Sequence, residues 1–235
     1  MENNQTSSLS HPLEATAVLM RKDIEKELKQ AHDEERPADF SYKVLPFLSL
    51  AERKVDFGLN LKGATVLGTI SLRGVIIDGD LDMSHTIIKG SVFLDQAAVL
   101  GSVSLEQATV RGVVNLVGSQ IKDNLNFNQL INNGFVSLAK ARIGQDVNLI
   151  GSRIQESRHD NLTIEGNLYL RQAVINGNLN LQKSAIEGSV DLMKVLILGN
   201  VNLEEAFIAK YLIVRDAILE DGIILRSARY QSLIK

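Results

Sequence analysis

Ala173 to Leu203 reads AVINGNLNLQK, SAIEGSVDLMK, VLILGNVNL, and writing it in rows of eleven sorts its residues into columns. Ala173, Ser184 and Val195 head the rows, Ile175, Ile186 and Ile197 stand two places on, and Gly177, Gly188 and Gly199 two places further. Leu179, Val190 and Val201 follow, then Leu181, Leu192 and Leu203. Apolar, small or Gly residues at every second position have the period of a strand, not of a helix. A fixed repeat of such strands describes a coil that recurs, each unit burying its apolar side against the next.

Outward from this stretch, the register A-x-I-x-G-x-V-x-L-x-x runs from Arg53 to about Ser227. Its first column is small or medium, as at Ala64, Val75 and Ala97, and its Ile column is bulky and β-branched, as at Val66, Ile77 and Ile88. Asp123, Gln145, Glu156, Lys210 and Asp221 interrupt the Gly column. Burying that many unpaired polar groups would cost too much. The column is therefore expected at a bend, with Gly there to allow a positive φ. Each unit becomes two short strands with a bend between them and a polar turn, such as Asp95-Gln96, at its end. The outward residue between the last two core columns is often Asn, Ser or Asp, as at Ser71, Asp82, Ser104, Asn115, Asn126, Ser137, Asn148, Asn180, Asp191 and Asn202, and such residues are expected to form hydrogen-bonded ladders along the stack.

The Ala-x-Ile and Val-x-Leu pairs resemble the centres of pentapeptide-repeat units, a family whose A-(D/N)-L-x-x repeats build a four-sided right-handed β-helix. That resemblance covers about residues 53–227 and implies that two units, about 22 residues, close one coil. The alternation Ile186-Glu187-Gly188-Ser189-Val190 is also similar to the bactofilins, polymer-forming β-helix proteins. The expected fold is all-β: a single-stranded right-handed β-helix (β-solenoid) of about eight coils, with a short N-terminal α-helix and cap.

Residues 1–10 read as a disordered polar tail, 11–52 as an N-terminal helix and apolar cap, and 53–235 as the β-helix. Leu13, Ala17, Met20, Ile24, Leu28 and Ala31 form one apolar stripe after Pro12, with Pro37 as the latest end. Either the stripe covers the open end of the solenoid, or it binds a partner or a second copy. From Phe40 to Leu50 the chain concentrates bulk that suits a cap over the first coil.

The register fails once, between Ile154 and Ile164, where Arg158 and Asp160 fall on aliphatic columns. This segment is expected to leave the coil as an exposed loop. Glu156, Arg158, His159 and Asp160 are then either a candidate functional loop or a tolerated insertion. Asn132 also falls on the Ile column, which a local slip turning Ile131 inward would relieve. One outward column of a 22-residue coil reads Thr65, Ile87, Thr109, Ile131, Arg153, Val174, Leu196, Ile218. Its apolar members Ile87, Ile131, Val174, Leu196 and Ile218 make it the candidate interface, unless they reflect ordinary strand preference. Leu198, Phe207, Tyr211, Ile213 and Ile224 add outward bulk near the carboxyl end, and no cap is recognisable after Arg229, so end-to-end or side-to-side assembly is expected.

The 235 residues carry a formal charge of −3, no Cys and four His. A near-neutral balance gives no general phosphate-binding signal. The lack of Cys removes thiolate chemistry and disulfides and suits a reducing compartment. His11, His32, His85 and His159 have no metal-ligand spacing. The sequence holds no phosphate loop and no nucleophile elbow, so no cofactor or metal is expected. No apolar run is long enough to span a bilayer, and the first residues lack a secretory pattern, so the expected place is cytoplasmic. The expected role is a non-enzymatic scaffold that contacts copies of itself or another protein. The alternatives are a regulator that imitates nucleic acid to bind a topoisomerase, as the family resemblance suggests, and a β-helix enzyme acting on polysaccharide.

Overall fold

The computed structural model describes residues 18–159 and 162–235. Short parallel strands stack in nine coils, and one helix, Arg21–Asp33, lies at the N-terminal side. Each coil has four faces. The first face begins with Ala38–Asp39, the second with Val44–Leu45, the third with Leu48–Ser49 and the fourth with Lys54–Asp56. The second and third merge into one 16-stranded sheet because Phe207–Ile213 runs round the corner and pairs with both Ala185–Ile186 and Val190–Asp191. Partners in successive coils, such as Leu59 with Leu81 and Ile87 with Thr109, lie 22 residues apart, as the paired units require.

The stack starts at Ala38 rather than Arg53. The segment expected as a cap is itself a coil, with Phe40, Leu45, Leu48 and Leu50 buried in the core rows. Its Pro46-Phe47 corner is one residue shorter than the others, so the spacing from Val44 to Thr65 is one less than from Leu48 to Ile70. That shortening hid the register. Further along, Leu59, Leu81, Val103, Leu125, Val147, Leu179 and Val201 form one fully buried row. Each such side chain contributes about 1.5–3 kcal/mol, and the stacked aliphatics admit two fully buried rings, Phe40 and Phe127.

The Gly column does sit at corners, but mainly for a different reason from the one expected. Gly68, Gly90, Gly112 and Gly199 do not have positive φ. A Cβ on Gly90 would instead lie 2.6 Å from the carbonyl of Gly68, and one on Gly199 2.8 Å from that of Gly177. Backbones of successive coils meet there, and a side chain has no room. Among the described residues, only Gly79 and Gly134 of the column's glycines have positive φ; positive φ is regular instead in the polar turn, at Gln96, Gln107, Lys140, Lys183 and Glu205, and at Gly63 and Gly118 in the same place. The turn closes through Ala97 N–H to Leu94 O at 3.0 Å, with the positive φ at its third residue, as a type II turn requires.

The outward Asn/Asp/Ser column is not a ladder either. Asp82 Oδ1 accepts from Ser84 N–H at 2.8 Å, Asn180 Oδ1 from Gln182 N–H at 3.1 Å and Asn202 Oδ1 from Glu204 N–H at 2.9 Å. These local bonds satisfy the turn amide that the type II geometry leaves unpaired. The ladder runs one residue past the Gly column: Asp80 Oδ1 accepts from Ser102 N–H at 2.7 Å, Asp146 Oδ1 from Asn178 N–H at 2.7 Å, and Asn178 Oδ1 from Asn200 N–H at 2.8 Å.

Asn132 stays on the Ile column. It is fully buried, donates from Nδ2 to Gly134 O at 2.9 Å and leaves Oδ1 without a partner, while Ile131 remains exposed. The slip does not occur because Ile131 pairs in register with Thr109 below and Arg153 above.

The break after Ile154 removes more than a loop. Ser157–His159 and Leu162–Ile164 pair antiparallel as a hairpin, and Ile164 leaves the Ile column. Spacing across it rises from 22 residues, Gln120 to Arg142, to 32, Arg142 to Val174. The difference, 32 − 22 = 10, is one whole unit, half a coil, so every later strand lands on the other half of the coil.

Candidate interaction surfaces

That half-coil exchange divides the expected interface. Ile87 and Ile131 stand on the second face in the column Thr65, Ile87, Thr109, Ile131, Arg153, Ala185, Phe207. Val174, Leu196 and Ile218 stand on the fourth, in the column Ile76, Ala98, Gln120, Arg142, Val174, Leu196, Ile218. Both columns mix apolar residues with Arg or Gln, and no single apolar stripe runs the length of the rod.

The hairpin carries Arg158 and His159, whose backbones pair with Thr163 and Leu162; Asp160 lies outside the described residues. At its base, Glu156 N–H donates to Glu187 Oε2 at 2.7 Å and Lys210 Nζ meets Glu165 Oε1 at 2.6 Å. The bond from Lys210 holds the Glu165 carboxyl below its ordinary range and raises the Lys210 ammonium.

At the N-terminal end, Ile24 and Ala31 of the helix are buried in the same cluster as Leu45 and Leu48, with Leu28 half-buried beside them. Leu13 lies outside the described residues. Val18 bridges to Val44, and Leu19 N–H donates to Val44 O at 2.8 Å, which occupies the free edge of the second face. Arg53 holds Glu25 through two bonds of 2.8 and 3.1 Å, and His32 Nδ1 meets Asp56 Oδ2 at 2.9 Å, with Lys54 also on Asp56. The Arg53 bond holds the Glu25 carboxyl below its usual value. Lys54 first, then His32, does the same for Asp56. Met20 remains 60% exposed at the lip of a cleft of about 530 Å³ with Pro46 and Phe47.

The C-terminal end is built differently. Val214, Leu219, Ile223, Leu225, Tyr230 and Leu233, on the inner rows of the last coil, are only partly buried. Ile218–Leu219 and Ile223–Ile224 are the last strands of their sheets, and Arg229–Ile234 pairs only with Phe207–Ile213. Sequence reasoning named Ile224 as outward bulk but missed what surrounds it: Glu220 and Asp221 before the strand, Arg226 and Arg229 after it.

Among the described residues, no helix is long and apolar enough to cross a membrane. The described residues form a β-solenoid whose first coil packs beneath a helix and whose last coil is only partly buried. No protein-family model matches the chain, and no curated protein matches it.

Proposed function

We propose that the chain is a non-enzymatic scaffold, a rigid cytoplasmic rod that assembles with copies of itself or with another protein. The observation that carries this reading is the contrast between the ends. A helix fills the core cross-section at one end, while the other presents unpaired strand edges around half-open apolar rows. Exposed edges of that kind recruit chains unless they are defended. The four-faced coil of paired units supports the pentapeptide-repeat likeness over the bactofilin one, and both resemblances are to interaction or assembly proteins. Sedimentation velocity across a concentration series tests the self-assembling form. The weight-average mass is expected to rise above the 25.8 kDa of one chain. A monomer at every concentration would sink it.

A further inference from the structure

We infer that the partner is a second copy, joined tail to tail through the free edge of Ile223–Ile224, so that assembly closes at a dimer. This rests on the assembly reading above and adds the surface, the orientation and the stopping point.

Three features of that strand converge. Leu203 N–H donates to Ile224 O at 2.9 Å and Val201 N–H to Gly222 O at 3.0 Å, so these carbonyls point back into the stack. Ile223 and Leu225 consequently direct their own backbone groups out of the end, since successive residues of a strand alternate sides. The outward column of this face is Asp39, Asn60, Asp82, Ser104, Asn126, Asn148, Asn180 and Asn202, and then becomes Ile224, 44% exposed, at the strand that ends this sheet. An edge is ordinarily protected by charge. Here the chain drops its polar residue where protection is needed.

The third feature is charge. Two copies related by a two-fold axis through Ile223 pair this strand with itself antiparallel, and residues equally far before and after the axis face each other. Glu220, three before, meets Arg226, three after, on both sides of the axis. Arg226 is 79% exposed at its side chain and, among the described residues, pairs with Glu204 of its own chain at 3.2 Å through one nitrogen, which leaves the rest of its fork open to a second carboxylate. Head-to-tail addition would have to displace the helix packed over the first coil. The tail-to-tail contact is isologous and leaves two covered ends, so growth stops.

The test uses the full chain and three variants: Ile224→Lys, Arg226→Glu, and Arg226→Glu combined with Glu220→Arg. Ile224→Lys and Arg226→Glu are each expected to weaken dimerisation about tenfold or more, and the charge exchange to recover it. Their circular dichroism and unfolding midpoints serve as the check on the fold. The chain has no Cys, so spin labels at Glu205→Cys or Ser41→Cys report orientation cleanly. Nine coils at roughly 4.8 Å put paired Ser41 labels about 80 Å apart and paired Glu205 labels within about 30 Å. A wild-type monomer overturns both this inference and the assembly reading. Association that ignores the variants, or close Ser41 labels, overturns the tail-to-tail contact and leaves assembly standing. Mass growing beyond the dimer overturns closure alone.

Discussion

At the scale of the residue, two sets of Gly do opposite jobs. Gly90 has an ordinary φ and no room; Gly118 has φ +68 and its nearest outside atom is Gln96 Cγ at 3.8 Å. Gly90→Ala is therefore expected to destabilise the chain by about 1–3 kcal/mol, the usual cost of forcing atoms into a packed site. Gly118→Asn is expected to stay within about 0.5 kcal/mol, because Asn tolerates left-handed backbone and a Cβ there meets nothing closer than ordinary van der Waals contact. Urea unfolding of the pair decides it, and an equal loss at Gly118 would show that left-handed backbone there costs as much as crowding does at Gly90. Asn132 gives the reverse case. Asn132→Val removes a buried acceptor with no partner, a group that costs about 1–3 kcal/mol, and restores the aliphatic row between Val110 and Ile154. Its unfolding midpoint should rise. Alternating aliphatic residues were legible because burial repeats in the sequence itself. Whether a Gly answers to φ or to a neighbouring backbone was not, since the neighbour is 22 residues away, and both explanations select the same residue.

At the scale of the element, the sequence shows where the core pair fails, at Arg158 and Asp160, but not how much chain leaves with it. Ile164 kept the appearance of register and concealed the loss of half a coil. The extruded unit is consequently dispensable to the stack. Deleting residues 156–165 joins Gln155 to Gly166, whose backbones are already in contact, and restores the 22-residue spacing. This variant is expected to keep the β-rich circular dichroism spectrum and cooperative unfolding, since what it removes outside the hairpin is peripheral: the exposed Lys210–Glu165 pair and the bonds of Glu156 to Glu187 and of Asn167 to Glu165. Deleting residues 173–183, a unit within the stack, removes Ile175, Leu179 and Leu181 from the core and is expected to abolish cooperative unfolding. The same treatment of both would refute the half-coil reading. The docked helix has its own weak point. Glu25 and Asp56 have folded-state values below the ordinary 4.5 and 3.8. Their contribution is present above those ordinary values and fades as pH falls below them through the depressed ones. Amide exchange in Arg21–Asp33 should accelerate relative to the coils as pH is lowered through that window, after correction for intrinsic rates. An unchanged ratio would mean that the helix is held by its other contacts, Ile24, Leu28 and Ala31 on the core and Glu27 on Asp39 N–H, rather than by these two carboxylates.

At the scale of the whole molecule, each coil touches only its neighbours, so stability is a sum along one axis and the ends decide where opening begins. The two ends are unequal. At the first coil, Leu45 and Leu48 are fully buried beneath the helix, whereas in the last coil Leu219, Ile223 and Leu233 remain half-open. Local opening needs less free energy where fewer apolar contacts must break. In dilute protein, amides of residues 217–234 should therefore exchange fastest among the strands, with protection rising toward the middle coils and persisting to Ala38. Concentration then separates fraying from association. If two copies meet at Ile223–Ile224, raising the concentration should slow exchange at Ile223 and Leu225, whose N–H groups face out of the end, and leave Leu59 and Leu61 at the other end of the same face unchanged. Slowing spread evenly along the rod would indicate side-to-side contact through a long face. Slowing confined to Arg21–Asp33 would place the contact on the helix and its cleft.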